Sequence, residues 1–304
     1  MMSVSVVVAV RRNAWGLRPL MRALAVQDYP GDLQVVVVDN HDTPTLTRAM
    51  FPWPVPVHLV PERQVGLSYA RNTGIHHAIG DFVLITDPGF TPDPSWVRTM
   101  VATLQNGGAP LVSGRVVLAT ESGAELPPAL TALLAPASWP QVVTEAASPW
   151  EVADACLGMP RPEEDEPAVF DVHRTGLDPR HLRGGAVELA ARLRAAGELV
   201  HVTPEPVVTR ELLPGDLTVG VIWARAWWRT TTAARWPHVP VPEPLVLPPG
   251  WWRTRGGRLA LVAVTAERCA RWAGRLRPGS RHPRAAAPSG RHPAAVPGPS
   301  EKRP

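Results

Sequence analysis

Residues 3–10 read SVSVVVAV, a β-branched run with almost no polar interruption. A strand with one solvated face alternates apolar and polar side chains. A continuous run suits a strand buried on both faces of a parallel sheet. Two further segments of this kind follow. Leu33 to Val38 (LQVVVV) ends at Asp39-Asn40-His41-Asp42, and Phe82 to Thr86 (FVLIT) ends at Asp87. A shorter strand is expected at Val57 to Val60. The stretches between them have helical spacing: Leu17, Leu20, Met21 and Leu24 in the first, residues 67–78 in the second, and residues 94–105 after the fourth strand. Strands alternating with helices predict βαβ units with right-handed crossovers, and so an α/β fold built on an open sheet.

Ligands of such sheets sit beyond the carboxyl ends of the strands. Three of those ends carry Arg11-Arg12, Asp39 and Asp87, which are expected to converge on one crevice. A strand-end aspartate is also a common helix cap or turn former, and Asp39 and Asp42 could each serve that way. A fifth strand is expected at Val112 to Leu118. Residues 119–168 then lose the pattern, and the acidic run Arg161 to Pro167 reads as a solvated loop. A helix over Val187 to Ala196, ended by Gly197, and a short strand at Val200 to Val202 follow.

Composition bounds the rest. With 304 residues, 45% of them hydrophobic, the chain can bury a substantial core and is too apolar to be disordered throughout. Its two cysteines, Cys156 and Cys269, are too few for a disulfide framework or a four-thiolate zinc site, which fits a reducing compartment. Met1 to Val10 lacks the flanks of a signal peptide, and no stretch approaches the ~20 apolar residues of a membrane span. A cytoplasmic protein is expected, with peripheral contact at the inner membrane face as an option. The net charge of +4 hides an asymmetry: residues 251–304 hold 12 bases and 2 acids, residues 1–250 hold 19 bases and 25 acids. Such a basic tail can approach anionic lipid, nucleic acid or an acidic partner, or simply solubilise the chain; nucleic acid is the less expected partner. Trp223, Trp227, Trp228, Trp236, Trp251 and Trp252 alternate with Arg225, Arg229, Arg235 and Arg253. Packing of a C-terminal lobe is the default for such a cluster, with a stacking surface or interfacial belt as alternatives. Leu259 to Leu276 reads as an amphipathic helix, and residues 278–304 as a disordered, proline-rich tail.

The run Gly66-Leu67-Ser68-Tyr69-Ala70-Arg71-Asn72-Thr73-Gly74-Ile75 is more specific. It resembles the G-L-S-x-A-R-N-x-G-I segment of family 2 glycosyltransferases, which have the GT-A fold. Val4 to Val8 resembles that family's first strand, and Val35 to Asn40 its second strand with the nucleotide-binding aspartate. Gly80 to Asp87 resembles the strand leading to its metal motif, and Pro92-Asp93-Pro94-Ser95-Trp96-Val97 the P-D-P-x-W-L that follows. The resemblance implies a GT-A-like, Rossmann-type mixed sheet flanked by helices over 1–215, with a nucleotide-binding half (1–118) and an acceptor half (119–215). An irregular extension (216–277) and the tail (278–304) would follow. It also implies a nucleoside-diphosphate sugar as donor, an acceptor the sequence does not name, and Val10, Asp39, Gly66, Arg71, Asn72 and Asp87 as nucleotide-binding residues.

The chemistry suits that assignment. A strand-end carboxylate at Asp39 can accept hydrogen bonds from a base edge. Arg71 offers a planar fork to a base carbonyl or phosphate, or a salt bridge to Asp39 or Asp87. Gly66 and Gly74 permit close backbone approach. Asp87 could hold Mg²⁺ or Mn²⁺ against the diphosphate.

Two of the family's motifs are altered. The metal motif Asp-x-Asp reads Asp87-Pro88-Gly89, so the second carboxylate is missing. Aligning Arg192-Leu193-Arg194-Ala195-Ala196-Gly197 with the family's R-L-x-x-A-G puts Gly185 and Ala186 where it has the Glu-Asp of its catalytic base. Glu188, Asp93 and Asp178 are the remaining candidates for a base, and Arg210 or Arg183 could neutralise the diphosphate. Three readings follow: an active, inverting transferase with relocated groups, a silent nucleotide-sugar binder, or a scaffold that keeps only the fold.

Overall fold

The computed structural model describes residues 1–11, 16–50, 52–135, 140–175, 184–233, 236, 238–246 and 255–275. The continuous apolar runs form the strands they predict: β1 (Val4–Val10), β2 (Leu33–Asp39), β3 (Val57–Pro61) and β4 (Phe82–Thr86). They lie parallel in the order β3-β2-β1-β4, with Val10 opposite Asp39 and Val8 opposite Thr86. The helix α1 (Leu17–Ala25) lies between β1 and β2, α2 (Leu67–His76) between β3 and β4, and α3 (Trp96–Gly107) after β4, which produces the expected open sheet.

Both sheet faces are covered, which explains the absence of polar alternation. Val4, Val6, Val8, Val10, Val35 and Val37 face α1 and α3, where Leu20, Met21, Trp96 and Met100 are fully buried. Val7, Val36, Val38, Val83 and Ile85 face the other way, into a core with Ala70 and Ile75 of α2. Burying each large aliphatic side chain of this kind contributes about 1.5–3 kcal/mol.

The second half completes a mixed sheet. It contains β5 (Phe90–Pro92), β6 (Leu111–Thr120), α4 (Pro128–Leu134), β7 (Thr144–Glu145) and β8 (Leu157–Pro160). Next come α5 (Val172–Thr175), α6 (Gly185–Ala195), β9 (Val200–Leu212), α7 (Val219–Ala233) and α8 (Arg255–Arg275). The order continues β4-β8-β6-β9-β5, with β7 on β9. β8 lies in a stretch where the sequence predicts no strand. It is only four residues long and contains Gly158, where a Cβ would stand 2.8 Å from Met100 Cγ. β9 is 13 residues rather than three. Its Pro204 and Pro206 fall beside the register shift between Ser113 and Arg115 of β6, which accommodates residues that cannot complete a ladder.

The extension after β9 is helical rather than irregular. Ile222 and Ala226 of α7 and Ala260, Ala263 and Val264 of α8 share one core with Ala129, Leu130 and Leu134 of α4. Trp236 is buried, and Trp223 is the exposed member of the tryptophan cluster among the described residues. The 161–167 run is a largely exposed loop, as its charge predicts. Among the described residues no helix is long and apolar enough to cross a membrane. Residues 278–304, Trp251 and Trp252 lie outside the described residues. Both cysteines are free thiols, and burial pushes the Cys156 thiol up to about 12.

Gly74 shows why the α2 sequence matters to the fold. A Cβ there would stand 2.3 Å from Val7 Cγ1 and 3.1 Å from Val38 Cγ2, so glycine sets the approach of α2 to β1 and β2. Gly74→Ala is expected to destabilise the protein by about 1–3 kcal/mol, the usual cost of overpacking a core, read as a lower midpoint in urea unfolding.

Candidate active site

The parallel strands β2, β1 and β4 end side by side, and their carboxyl ends carry Asp39, Val10 and, one residue on, Asp87. β1 lies between the two aspartates, which places their backbones about 10 Å apart at the usual strand spacing. Alternation along the strands sends the two side chains to opposite faces. Asp39 shares the face of Val35 and Val37; Asp87 shares that of Val83 and Ile85. The aspartates therefore flank one edge without meeting.

Asp39 is 1% exposed, and its carboxylate organises the loop that follows it. Oδ2 accepts from the Thr45 and Leu46 amides at 2.7 Å each, and Oδ1 accepts from the His41 amide at 3.3 Å with His41 Nδ1 at 2.5 Å. Burial alone would push its pKa up. The Leu46 amide, the His41 ring and the Thr45 amide more than reverse this and hold it below the ordinary carboxylate value. Its neighbour Asn40 ties the end of β2 to the loop before α2. Asn40 Nδ2 donates to the carbonyls of Glu62 and Gln64, its Oδ1 accepts from the Gly66 amide at 3.0 Å, and its own amide donates to the Val10 carbonyl. Gly66 holds φ 153°, which a side chain would strain, directly before the first turn of α2.

Arg71 is brought to Asp87, one of its two expected salt-bridge partners, and not to Asp39. It is 1% exposed. Nη2 lies 3.3 Å from both oxygens of Asp87 and donates to the Asp154 carbonyl at 2.8 Å; Nη1 donates to Asp154 Oδ1 at 3.0 Å. The Phe170 ring centroid lies 5.3 Å from its guanidinium carbon. Burial opposes the charged form, but Asp87 and Asp154 outweigh it and raise the Arg71 pKa. Asn72 is likewise turned inward: its side-chain amide donates to the Phe170 carbonyl and accepts from the Phe170 amide, at 2.8 and 2.9 Å.

Asp154 is the member of this centre that no sequence signal marks. It stands before β8, 83 residues from its partner. Besides Arg71 it accepts from the amides of Ala186 (3.0 Å) and Gly184 (3.3 Å) at the start of α6. Burial pushes its carboxyl up, while Arg71 and these amides more than offset that and lower its pKa. The other expected bases are placed less favourably. Glu188 is 2% exposed, with Oε1 3.3 Å from Arg192 Nε and Oε2 buried without a partner among the described residues. Asp93 is exposed before α3, beyond β5 at the far edge of the sheet. Asp178 and Arg183 lie outside the described residues. Arg210 pairs with Asp216 at 2.7 Å.

The donor set does not fit a resident Mg²⁺ or Mn²⁺. Such a cation takes about six oxygen ligands. Asp87 faces a guanidinium, and Gly89 offers no carboxylate. Gly89 holds φ 90°, and its amide lies 3.3 Å from the Gly16 carbonyl. A Cβ on Gly16 would stand 2.1 Å from Gly89 N, so this turn is packed backbone to backbone. Among the described residues no group of three His, Cys, Asp or Glu side chains converges.

Two outcomes follow from these placements. Arg71→Met is expected to cost about 3–5 kcal/mol in chemical unfolding, because it leaves two carboxylates around an uncharged side chain. Asp39 and Asp154 have folded pKa values below the unfolded value of ~3.9. Their contribution is complete above that value and is lost as pH falls through the folded values. Thermal unfolding against pH is expected to show a melting temperature that falls below about pH 4, with a shallower fall in Asp39→Asn.

Comparison with known proteins gives the family. The Glycosyl transferase family 2 model matches residues 5–158. Glycosyltransferase AglE of Haloferax volcanii is 30% identical over 125 residues, 40% of this chain and 41% of that protein. The pre-mycofactocin glycosyltransferase of Mycobacterium tuberculosis is 32% identical over 123 residues, 39% of this chain and 24% of that protein. The matched part thus spans less than half the length of each of these relatives. Among solved structures, S. aureus TarS 1–349 in complex with UDP-GlcNAc superposes with a TM-score of 0.50 at 14% identity, covering 74% of this chain and 66% of that one; it shows the shared fold. With half of its length matched by one family model, and that model's first strands forming the edge just described, the chain belongs to glycosyltransferase family 2.

Proposed function

We propose that this protein transfers a sugar from a nucleoside-diphosphate sugar to an acceptor nucleophile, with the acceptor entering opposite the departing diphosphate and the anomeric configuration inverting. The observation that carries the reading is the β2-β1-β4 edge, where the Asp39 loop and Asp87 flank the end of β1 at the position where open α/β sheets take their ligands. Family membership and relatives named as glycosyltransferases support it. The Asp39-ordered loop 40–46 would receive the base, and the β4 end would receive the diphosphate and sugar. No step is assigned to a metal, since the donors at Asp87 and Gly89 do not fit one. Acceptor choice belongs to the second half, and any contact of the basic tail with an anionic membrane surface would add to this activity rather than replace it.

One observation favours a second reading. Glu188 is buried against Arg192, and Gly89 stands where the family carries a carboxylate, which would suit a silent nucleotide-sugar binder. Titration calorimetry with UDP and UDP-GlcNAc, together with assay of UDP release, separates the two. UDP-GlcNAc is the first probe because the TarS structure of shared fold holds it. The proposal expects binding and turnover that EDTA does not diminish, and Asp39→Ala weakening UDP binding by about 1–3 kcal/mol as its loop loses order. Binding without turnover supports the silent reading. Absence of binding by uridine, guanosine and thymidine diphosphates alike leaves only a scaffold.

A further inference from the structure

Glycosyl transfer requires a group that takes the proton of the acceptor hydroxyl, and the first turn of α6 carries Gly185 and Ala186 where an acid is expected. The structure shows what stands in that space. A Cβ on Gly185 would lie 3.3 Å from Phe170 Cδ1 and 3.8 Å from Arg71 Nη1. Asp154 Oδ1 lies 3.0 Å from the same Arg71 Nη1 and 3.0 Å from the Ala186 amide. A carboxylate from the loop before β8 therefore sits at the first turn of α6, on the same guanidinium nitrogen that the Gly185 position faces. We propose that Asp154 is the relocated base of this enzyme, a proposal that rests on the glycosyl-transfer reading above.

Access and valence agree with that role. The Asp154 side chain is 27% exposed, against 3% for Glu188. Among the described residues Oδ1 accepts two hydrogen bonds and Oδ2 accepts one, from the Gly184 amide. Each carboxylate oxygen has two lone-pair directions, so Oδ2 retains one for an incoming hydroxyl. Its three donors hold the group ionised, in the form a base requires. In the step, the acceptor oxygen bonds to the anomeric carbon. The bond from that carbon to the diphosphate oxygen breaks, and its electron pair leaves on the nucleoside diphosphate. The hydroxyl proton passes to Asp154 Oδ2 and then to water.

The test compares two nucleophiles in the full-length protein. Water must lose a proton to react; azide has none to lose. UDP release from UDP-GlcNAc and UDP-glucose is measured with and without sodium azide for wild type, Asp154→Asn and Asp154→Ser, the asparagine keeping the side-chain length and an acceptor oxygen for the Ala186 amide without a carboxylate. UDP affinity is measured in parallel to report the state of the donor site. The expected result is a loss of about 100-fold or more in release to water, with azide-dependent release, as glycosyl azide, retained at the wild-type level. Equal loss with water and azide would overturn the proposal and make Asp154 a helix cap and Arg71 partner only. Loss of UDP binding in both variants would overturn it in the same sense. A wild type that binds UDP yet turns over neither donor would overturn it and leave the donor site standing. A wild type that binds no nucleotide would remove the underlying reading as well.

Discussion

A guanidinium removed from water is tolerable only when its charge is met, and Arg71 is 1% exposed. Asp87 and Asp154 meet it, and the consequences spread through the fold. Asp87 belongs to the end of β4, Asp154 to the approach to β8, and Arg71 to α2. Through the amides of Gly184 and Ala186, Asp154 also fixes the start of α6. Phe170 is held beneath the guanidinium by Asn72, the next residue of the same helix. One buried cation thus aligns four separate segments around the carboxyl edge of the sheet.

This arrangement changes how the altered motifs are understood. With a guanidinium between two carboxylates, the centre already contains its positive charge, and a second carboxylate at position 89 has no cation to hold. The space is given to a turn instead: Gly89 at φ 90°, packed on the Gly16 backbone. Asp39 serves the same edge from the other face of the sheet. It spends its lone pairs on backbone amides and shapes the loop rather than presenting a bare carboxylate to the crevice.

The first half of the fold was legible because burial on two faces leaves a distinctive run of β-branched residues, as in β1, β2 and β4. The second half was less so. β8 is four residues with a glycine, and β9 carries prolines that argue against a strand until the β6 irregularity beside them is known. The packing of α4 on α7 and α8 depends on contacts far apart in sequence, which periodicity does not reveal. In the candidate site, the strand-end aspartates and the Gly66–Ile75 run were visible. The direction of Arg71 was open between ligand and ion pair, and the structure shows it buried against Asp87 and Asp154. Asp154 carried no signal, since a lone aspartate between two short elements looks like a turn residue; only its convergence with Arg71 and the empty first turn of α6 gives it meaning.

The claim that one buried guanidinium couples these segments is tested most directly by a double-mutant cycle on unfolding free energy with Arg71→Met, Asp154→Asn and the pair. The account predicts a coupling energy of about 0.5–3 kcal/mol, with the double variant less destabilised than the sum of the singles. Additive effects would contradict it, and would mean that the two side chains stand near each other without depending on each other.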